Sequence, residues 1–498
     1  MAKYYLGIDQ GTTGTTALLI NEKWEVMAQK NIEHRQIYPK PGWVEHDPEE
    51  IWEAIQSAMA DVMKQAGAVP GDIIAIGLDH QGETCAVWDK KTGKPIYNAL
   101  VWQDRRTAEY ADELKEKHGE MIQQRTGLVP DAYFSATKIR WILDNTAGAR
   151  DRAARGELLA GTLDAFIIWK FTGGAAFVTD GSTASRTMMI DLKKGQWDDE
   201  LLGIYNIPKS ILPEISDSSQ VYGYTTGAGF FGAKVPIGSC ITDALAATFA
   251  QGCVHPGDIK ASYGTGVFMN CNIGTEVKYS PNGLITLCCY RLKGRMTYEL
   301  EGGVYITGAA VQWLRDKLRI IENSAETEQM ALSVKDTGGV YFVPAFSGLA
   351  APHWDQYARG MMIGLTGGTT REQIVRATLE GTAFQVYDNV AVMKKDSGQN
   401  ISVMRVDGGP VVNRFLMQFQ ADLLGFPVDV PVVNEMTAYG AGLLAAMAVG
   451  NLTVDDVVKN WKLKRRYEPK ISGDERESLL AGWNRAIERC KNWEQPKN

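Results

Sequence analysis

The stretch Tyr4-Tyr5-Leu6-Gly7-Ile8-Asp9-Gln10-Gly11-Thr12-Thr13 decides the fold. It reads as an apolar strand running into a Gly/Thr turn, and Thr16-Ala17-Leu18-Leu19-Ile20 leaves that turn as a second strand. The design returns in the other half of the chain as Ile259-Lys260-Ala261-Ser262-Tyr263-Gly264-Thr265-Gly266-Val267-Phe268-Met269. Two such hairpins point to a duplicated scaffold that holds one polyphosphate between its halves. Backbone N–H groups and Thr hydroxyls at the tips can cradle phosphate oxygens. Glycine lets the backbone approach closely and take positive φ. Asp9, at the end of the first strand, is placed to hold a magnesium ion through water.

Composition narrows the class around this motif. A chain of 498 residues is long for one core, so two or more domains are expected. With 45% hydrophobic and 22% charged residues it has the make-up of an ordinary globular protein. A net charge of −7 argues against a general affinity for nucleic acid. No apolar run approaches membrane-spanning length and the N-terminus lacks a signal-peptide pattern, so a cytoplasmic location without membrane insertion is expected. The seven cysteines form no CxxC pair and read as reduced core thiols.

Strands and helices alternate throughout, which indicates an α/β fold. Asp47-Pro48-Glu49-Glu50 supplies an N-cap, a proline at the first helical position and early acids. The helix it opens has apolar residues at Ile51, Ile55, Met59 and Val62 and closes near Gly67. A strand over Ile73–Leu78 follows, with helices at Thr137–Leu143 and Thr162–Trp169. Val235–Thr242 reads as a strand entering a helix at Asp243. Further helices are expected over Gly308–Leu318, Arg371–Lys394, Val411–Leu424 and Thr437–Val449. The small residues of the last (Gly440, Ala441, Gly442, Ala445, Ala446) permit close packing, against the sheet or near a nucleotide. The domain boundary falls around Ala250–Gly257, giving domains 1–251 and 252–498.

Neither a Walker A sequence nor a Rossmann glycine fingerprint occurs: Thr92-Gly93-Lys94 is followed by Pro95. Asp243 stands where an apolar strand meets a helix. It admits two readings, an ordinary N-cap or a cleft carboxylate that accepts a hydroxyl proton. A helix N-terminus favours its ionised form. Val406-Asp407-Gly408-Gly409-Pro410, with Asn413 one turn into the following helix, is a tight turn or a place where backbone approaches a nucleotide base. Gly308 and Gln312, a helical turn apart, admit the same two readings. Trp102 and Tyr133 can line a small polyol pocket in which Glu83 accepts hydroxyl hydrogen bonds, although each taken singly is as easily core or rim.

Together these residues resemble the FGGY carbohydrate kinases, most closely the glycerol kinases, over essentially the whole chain. The segments that carry the resemblance include Asp9–Thr13, Ile37–Pro48, Lys91–Ala99, Tyr133–Trp141, Ser262–Gly266 and Arg405–Gly409. The resemblance implies an actin-like ATPase fold: two ribonuclease-H-like domains around a nucleotide cleft, transferring the γ-phosphoryl of MgATP to a sugar or polyol hydroxyl. By the same resemblance Thr12, Thr13 and Gly14 match phosphate-contacting positions, and Gly264, Thr265, Gly308, Gln312, Gly409 and Asn413 match nucleotide-binding ones. Asp243 matches the catalytic base and, with Asp9, the magnesium site. Glu83, Trp102, Tyr133 and Phe268 match positions around the polyol, where Gly82 and Ala244 also fall. A homo-oligomer, dimer or tetramer, is implied.

Three positions depart from that pattern. Glycerol kinases carry Arg where this chain has Gly82, Gln where it has Ala244, and a basic residue where it has Thr16. The first two departures remove a cation and an amide from the acceptor pocket. The expected acceptor is therefore a four- or five-carbon polyol or ketose, with true glycerol phosphorylation as the alternative. A reading of a different class, an actin-like ATPase clamp without a small-molecule acceptor, is disfavoured by Glu83, Trp102 and Tyr133.

Overall fold

In the computed structural model, which describes residues 2–494, each Gly/Thr hairpin anchors one of two sheets built to the same plan. In the first sheet β1 (Tyr4–Gln10), β2 (Gly14–Asn21) and β3 (Val26–Glu33) run antiparallel in succession. β4 (Ile73–His80) pairs parallel with β1, and β5 (Pro236–Thr242) pairs parallel with β4. The second sheet repeats this with β6 (Ile259–Tyr263), β7 (Val267–Gly274), β8 (Arg295–Val304), β9 (Met404–Asp407) and β10 (Val428–Pro431). The orders β3-β2-β1-β4-β5 and β8-β7-β6-β9-β10 coincide, as do the strand directions. The duplicated scaffold is thus a matter of topology as well as of sequence. β1 and β2 are nearly continuous apolar runs because both faces of the sheet are covered.

The first helix, α1 (Pro48–Ala66), follows its local signals. Asp47 accepts the Glu49 N–H at 2.9 Å, Gly67 ends the helix at φ 64°, and Ile51, Ile55, Met59 and Val62 are buried. β5 passes directly into α2 (Asp243–Ala250). A small sheet of residues 45–46, which precede β4, and 99–100, 85–89 and 158–162, which lie between β4 and β5, carries the loops with Trp102 and Tyr133.

The small-residue helix α3 (Met436–Ala448) resolves the choice left by its sequence: it packs against the first sheet. Gly7 in β1, Gly77 in β4 and Gly238 in β5 form the bed on which it lies. A Cβ on Gly7 or Gly77 would run into the carbonyl of Ala438 or Ala441, and one on Gly238 would stand 2.9 Å from the Ala445 backbone. The last helix of the repeated unit is therefore returned to the first sheet although it follows β10 in the chain.

Two local expectations are corrected. The Gly308 helix is α-helical only to Trp313 and continues as a π turn over Leu314–Leu318. Asn413 lies at a helix start and not inside the helix: a 3-10 turn spans Gly409–Val412, and Asn413 Oδ1 caps Arg414–Leu424 by accepting the Leu416 N–H at 3.0 Å. Helices Ala108–Thr126 and Gly473–Cys490 were not anticipated. Among the described residues no helix is long and apolar enough to cross a membrane.

Candidate active site

Three parallel strands of the first sheet end side by side, and each delivers a carboxylate. Asp9 and Asp79 are direct partners in the β1–β4 register, and Asp243 follows the pair Thr242–His80 at the end of β5. Asp243 is the first residue of α2; Thr242 occupies the cap position, and Asp243 Oδ1 accepts the Ala244 N–H at 2.6 Å. The N-cap reading of Asp243 is thereby replaced by a half-buried carboxylate at the cleft end of the sheet. Burial raises its pKa above the usual range.

Asp9 and Asp79 are more strongly perturbed. Burial, followed by the charges of Glu435 and Asp243, pushes Asp9 up to about 7. Burial and then Asp9 hold Asp79 well above the ordinary range. Asp79 is fully buried, and among the described residues neither of its carboxylate oxygens has a hydrogen-bond partner; Asp9 Oδ1 is likewise unpartnered among them. Thr437, from α3, places its hydroxyl 2.8 Å from Asp9 Oδ2 and 2.6 Å from Glu435 Oε1, so one hydrogen faces two carboxylates. A cluster with surplus oxygen acceptors and too few donors fits a hard divalent cation. Thr16 faces Asp9 directly across the β1–β2 ladder, and its hydroxyl accepts from Asn31 Nδ2 at 2.9 Å.

Glu83 and Tyr133, expected around the polyol, lie near a buried arginine that the sequence did not single out. Arg186 follows the short helix Gly181–Ser185 and is 2% exposed. Its Nη1 donates to Glu83 Oε1 at 2.9 Å and to Glu301 Oε1 at 3.3 Å, and its Nη2 is paired with Glu301 Oε2. Glu301 belongs to β8, so this ion pair joins the two halves of the molecule. Burial raises Glu83 to about 7 against the opposing pull of Arg186. Trp102 meets Tyr133 edge to face at 5.7 Å and donates its Nε1–H to Thr12 Oγ1 at 2.9 Å, tying this aromatic pair to the first Gly/Thr tip. The Tyr133 loop is held from beneath by Lys138, a buried ammonium that donates to the carbonyls of Ala132, Tyr133 and Phe134. Phe268, in β7, is 37% exposed and covers Gly303.

On the other side of the carboxylates, Gly264, Thr265, Gly308, Gln312, Gly409 and Asn413 all line one cavity of about 570 Å³. Gly308 N–H donates to the Gly264 carbonyl at 3.2 Å, and a Cβ on Gly308 would strike that carbonyl. Gly408, at φ 95°, brings the Gly409 turn against the Tyr263 backbone. Thr12, Thr13 and Gly14 do not line this cavity; they stay with the first sheet beside Trp102.

The chain matches two family models in tandem: "FGGY family of carbohydrate kinases, N-terminal domain" over residues 4–250 and the corresponding C-terminal domain over residues 259–449. The chain belongs to the FGGY carbohydrate kinases. Relatives of this FGGY kinase include glycerol kinase 2 of Thermotoga maritima, 54% identical over 99% of this chain and 100% of its own. Glycerol kinase of Caldanaerobacter subterraneus subsp. tengcongensis is 52% identical over 99% of both chains. The crystal structure of Plasmodium falciparum glycerol kinase with ADP superposes with a TM-score of 0.93, at 35% identity over 98% of both chains. The kinase therefore has the two-domain, actin-like ATPase fold and is an ATP-dependent phosphotransferase.

Beside Gly82, where a cation was expected to be missing, the structure places that of Arg186. A Cβ on Gly82 would stand 3.3 Å from Thr242 Cγ2 and 3.4 Å from Arg186 Cδ. The side chain of Arg186 runs past Gly82, and its guanidinium donates to Glu83. No signal in the local sequence Ser185-Arg186-Thr187 announces this, because the arginine meets Glu83 across 103 residues of chain. Asp79, Glu301 and Thr437 were missed for the same reason. Only Asp79, at the end of a strand register-matched to Asp9, offers a pattern that sequence reasoning could have followed.

Proposed function

We propose that this kinase transfers the γ-phosphoryl group of ATP to a hydroxyl of glycerol, forming glycerol 3-phosphate. The observation that carries the reading is Arg186 on Glu83. A buried cation–carboxylate pair stands beside Gly82, where the reading of a longer acceptor supposed the cation lost. Relatives at 50–54% identity that bear the name glycerol kinase point the same way.

In this reading the acceptor lies against Trp102 and Tyr133, with Glu83 and Asp243 accepting from its hydroxyls. Asp243 takes the proton of the attacking hydroxyl as its oxygen bonds to the γ-phosphorus and the bond to the β–γ bridging oxygen breaks. Burial raises the pKa of Asp243 and so makes its carboxylate a stronger proton acceptor. Gly264 and Thr265 hold the phosphate chain, with the base and ribose in the cavity lined by Gly308, Gln312, Gly409 and Asn413. Thr12, Thr13 and Gly14 hold the transferring group from the opposite sheet. Asp9 and Asp243, with Asp79 and Glu435 beside them, would hold magnesium, which supplies positive charge against the phosphates. Closure of the two halves would exclude water as a competing nucleophile.

Steady-state comparison of glycerol, erythritol, threitol, xylitol, arabitol and ribulose tests the acceptor. Glycerol is expected to give the highest kcat/KM; a higher value for a four- or five-carbon acceptor overturns the proposal. ATP hydrolysis that does not rise with any acceptor would instead indicate a nucleotide-driven clamp.

A further inference from the structure

Arg186 is an expensive residue to keep where it is. Its side chain is 3% exposed and lies between two carboxylates that are themselves buried, Glu83 and Glu301, with Glu299 3.9 Å away. Taking such charges out of water consumes much of what their attraction returns, so the arrangement is weak as a source of stability. It is also incomplete. The two terminal nitrogens have carboxylate partners, but the Nε–H is buried and has none among the described residues. A buried donor without a partner forfeits a hydrogen bond it had in water. A ligand that brought an acceptor to this N–H would remove that deficit.

The position of the side chain indicates which ligand. The Arg186 Cδ, bonded to that Nε, lies 3.4 Å from where a Cβ on residue 82 would be, and Gly82 precedes Glu83 in the chain. Tyr133 and Asp243 lie close enough that the charges of Arg186 and Glu83 act on Tyr133, and that of Arg186 on Asp243. The unpartnered N–H thus belongs to the group of residues assigned above to the acceptor. Gly82, at φ 74° and without a side chain, leaves room for the Arg186 side chain to run beside it.

We propose that Arg186 is a specificity-determining residue of the acceptor pocket: its Nε–H donates to one acceptor hydroxyl, and Gly82 is the vacancy that lets its side chain reach there. This rests on the reading of the protein as a polyol kinase with glycerol as acceptor. The same guanidinium, by pairing with Glu301 of β8, ties acceptor binding to the second half of the molecule.

The test uses the full chain, glycerol, and its two deoxy analogues, 1,2-propanediol and 1,3-propanediol. Arg186→Lys keeps a cation between Glu83 and Glu301 but removes the Nε–H. A hydrogen bond from a charged donor corresponds to about ten- to a hundredfold in kcat/KM. The variant is expected to lose that factor with glycerol and with one deoxy acceptor. It should lose nothing with the other, the one that lacks the hydroxyl Nε–H would meet, and KM for ATP should stay within about twofold. An equal loss with all three acceptors would mark Arg186 as merely structural and overturn the proposal.

Gly82→Ala provides the second arm should Arg186→Lys fail to fold. Its Cβ crowds Thr242 Cγ2 at 3.3 Å and comes into contact with Arg186 Cδ at 3.4 Å, whereas Gly67→Ala imposes a similar positive-φ strain at the end of α1 with open space around it. Gly82→Ala is expected to raise KM for glycerol several-fold, leaving Gly67→Ala as wild type; equal values for the two overturn the proposal. The glycerol reading itself fails on the wild-type chain, if a longer polyol is preferred, while this inference fails on the variants.

Discussion

Gly77→Ala tests the link between the glycine bed and the chemistry. Gly77 lies in β4, two residues before Asp79, and α3 rests on it. An added methyl would run into the Ala441 carbonyl and stand 2.6 Å from Ser239 Oγ, well inside the 3.5–4.0 Å at which carbon contacts become favourable. Backbone does not yield as a side chain end does, so α3 must withdraw from the sheet. Overpacking of this kind costs about 1–3 kcal/mol. The hydrogen bond from Ser239 Oγ to the Ala441 carbonyl, 2.8 Å long, would go with it, adding about 1 kcal/mol. The sum, roughly 2–4 kcal/mol, corresponds to a fall in Tm of about 5–15 °C for a half-molecule of ~250 residues. The activity consequence is separate. α3 carries Thr437, which holds Asp9, and a displacement of this size at a site of phosphoryl transfer lowers kcat by up to about a hundredfold. Differential scanning calorimetry and steady-state kinetics measure both, with Gly71→Ala, which has open space around its Cβ, as the control. Gly77→Ala with the Tm and kcat of the control would show that α3 does not set the position of Asp9.

Two further outcomes are expected. Asp243→Asn keeps the size of the side chain but removes the proton acceptor; kcat should fall about 10²–10⁴-fold with ATP affinity nearly unchanged, and a normal kcat would remove Asp243 from the base role. His46, fully buried, is held down to about 3 by burial and by its neighbour His34, against a usual value of 6.5. Below pH 6.5 the unfolded chain binds a proton that the folded one refuses, so stability falls with falling pH through the window from 6.5 toward 3. Between pH 7 and 5 this amounts to about 2 kcal/mol, absent in His46→Gln; denaturant midpoints of the two proteins that run parallel over that range would contradict it.

Much of this was legible along the chain because it is written in local signals. Asp47, Pro48 and Gly67 bracket α1 through a side-chain cap, a preset φ and a left-handed stop, each set within a few residues. The Gly/Thr tips, Asp9 and Asp243 stand at strand ends that their own flanking residues define. Asn413 was misplaced by a turn because a 3-10 segment beginning after Gly408 delays the helix, and only the backbone geometry around Tyr263 requires that segment.

The surroundings of Gly82 and Glu83, proposed to receive the acceptor, were the least legible part, since they depend on which distant side chain comes near. Gly82 and Ala244, read by themselves, announce losses. Beside the first of them stands Arg186, which reaches Glu83 from an element with no sequence signal of a site.

The sequence by itself determined the two-hairpin nucleotide scaffold, because strand period, turn glycines and caps act over short distances. Tertiary structure alone decided three things. It placed α3 on the first sheet through Gly7, Gly77 and Gly238. It joined Asp79 and Thr437 to Asp9. It put Arg186 beside Gly82. Each depends on side chains and backbone meeting across a hundred residues or more, or across adjacent strands, where exclusion of overlap and the pairing of buried charge, not local propensity, choose the partner.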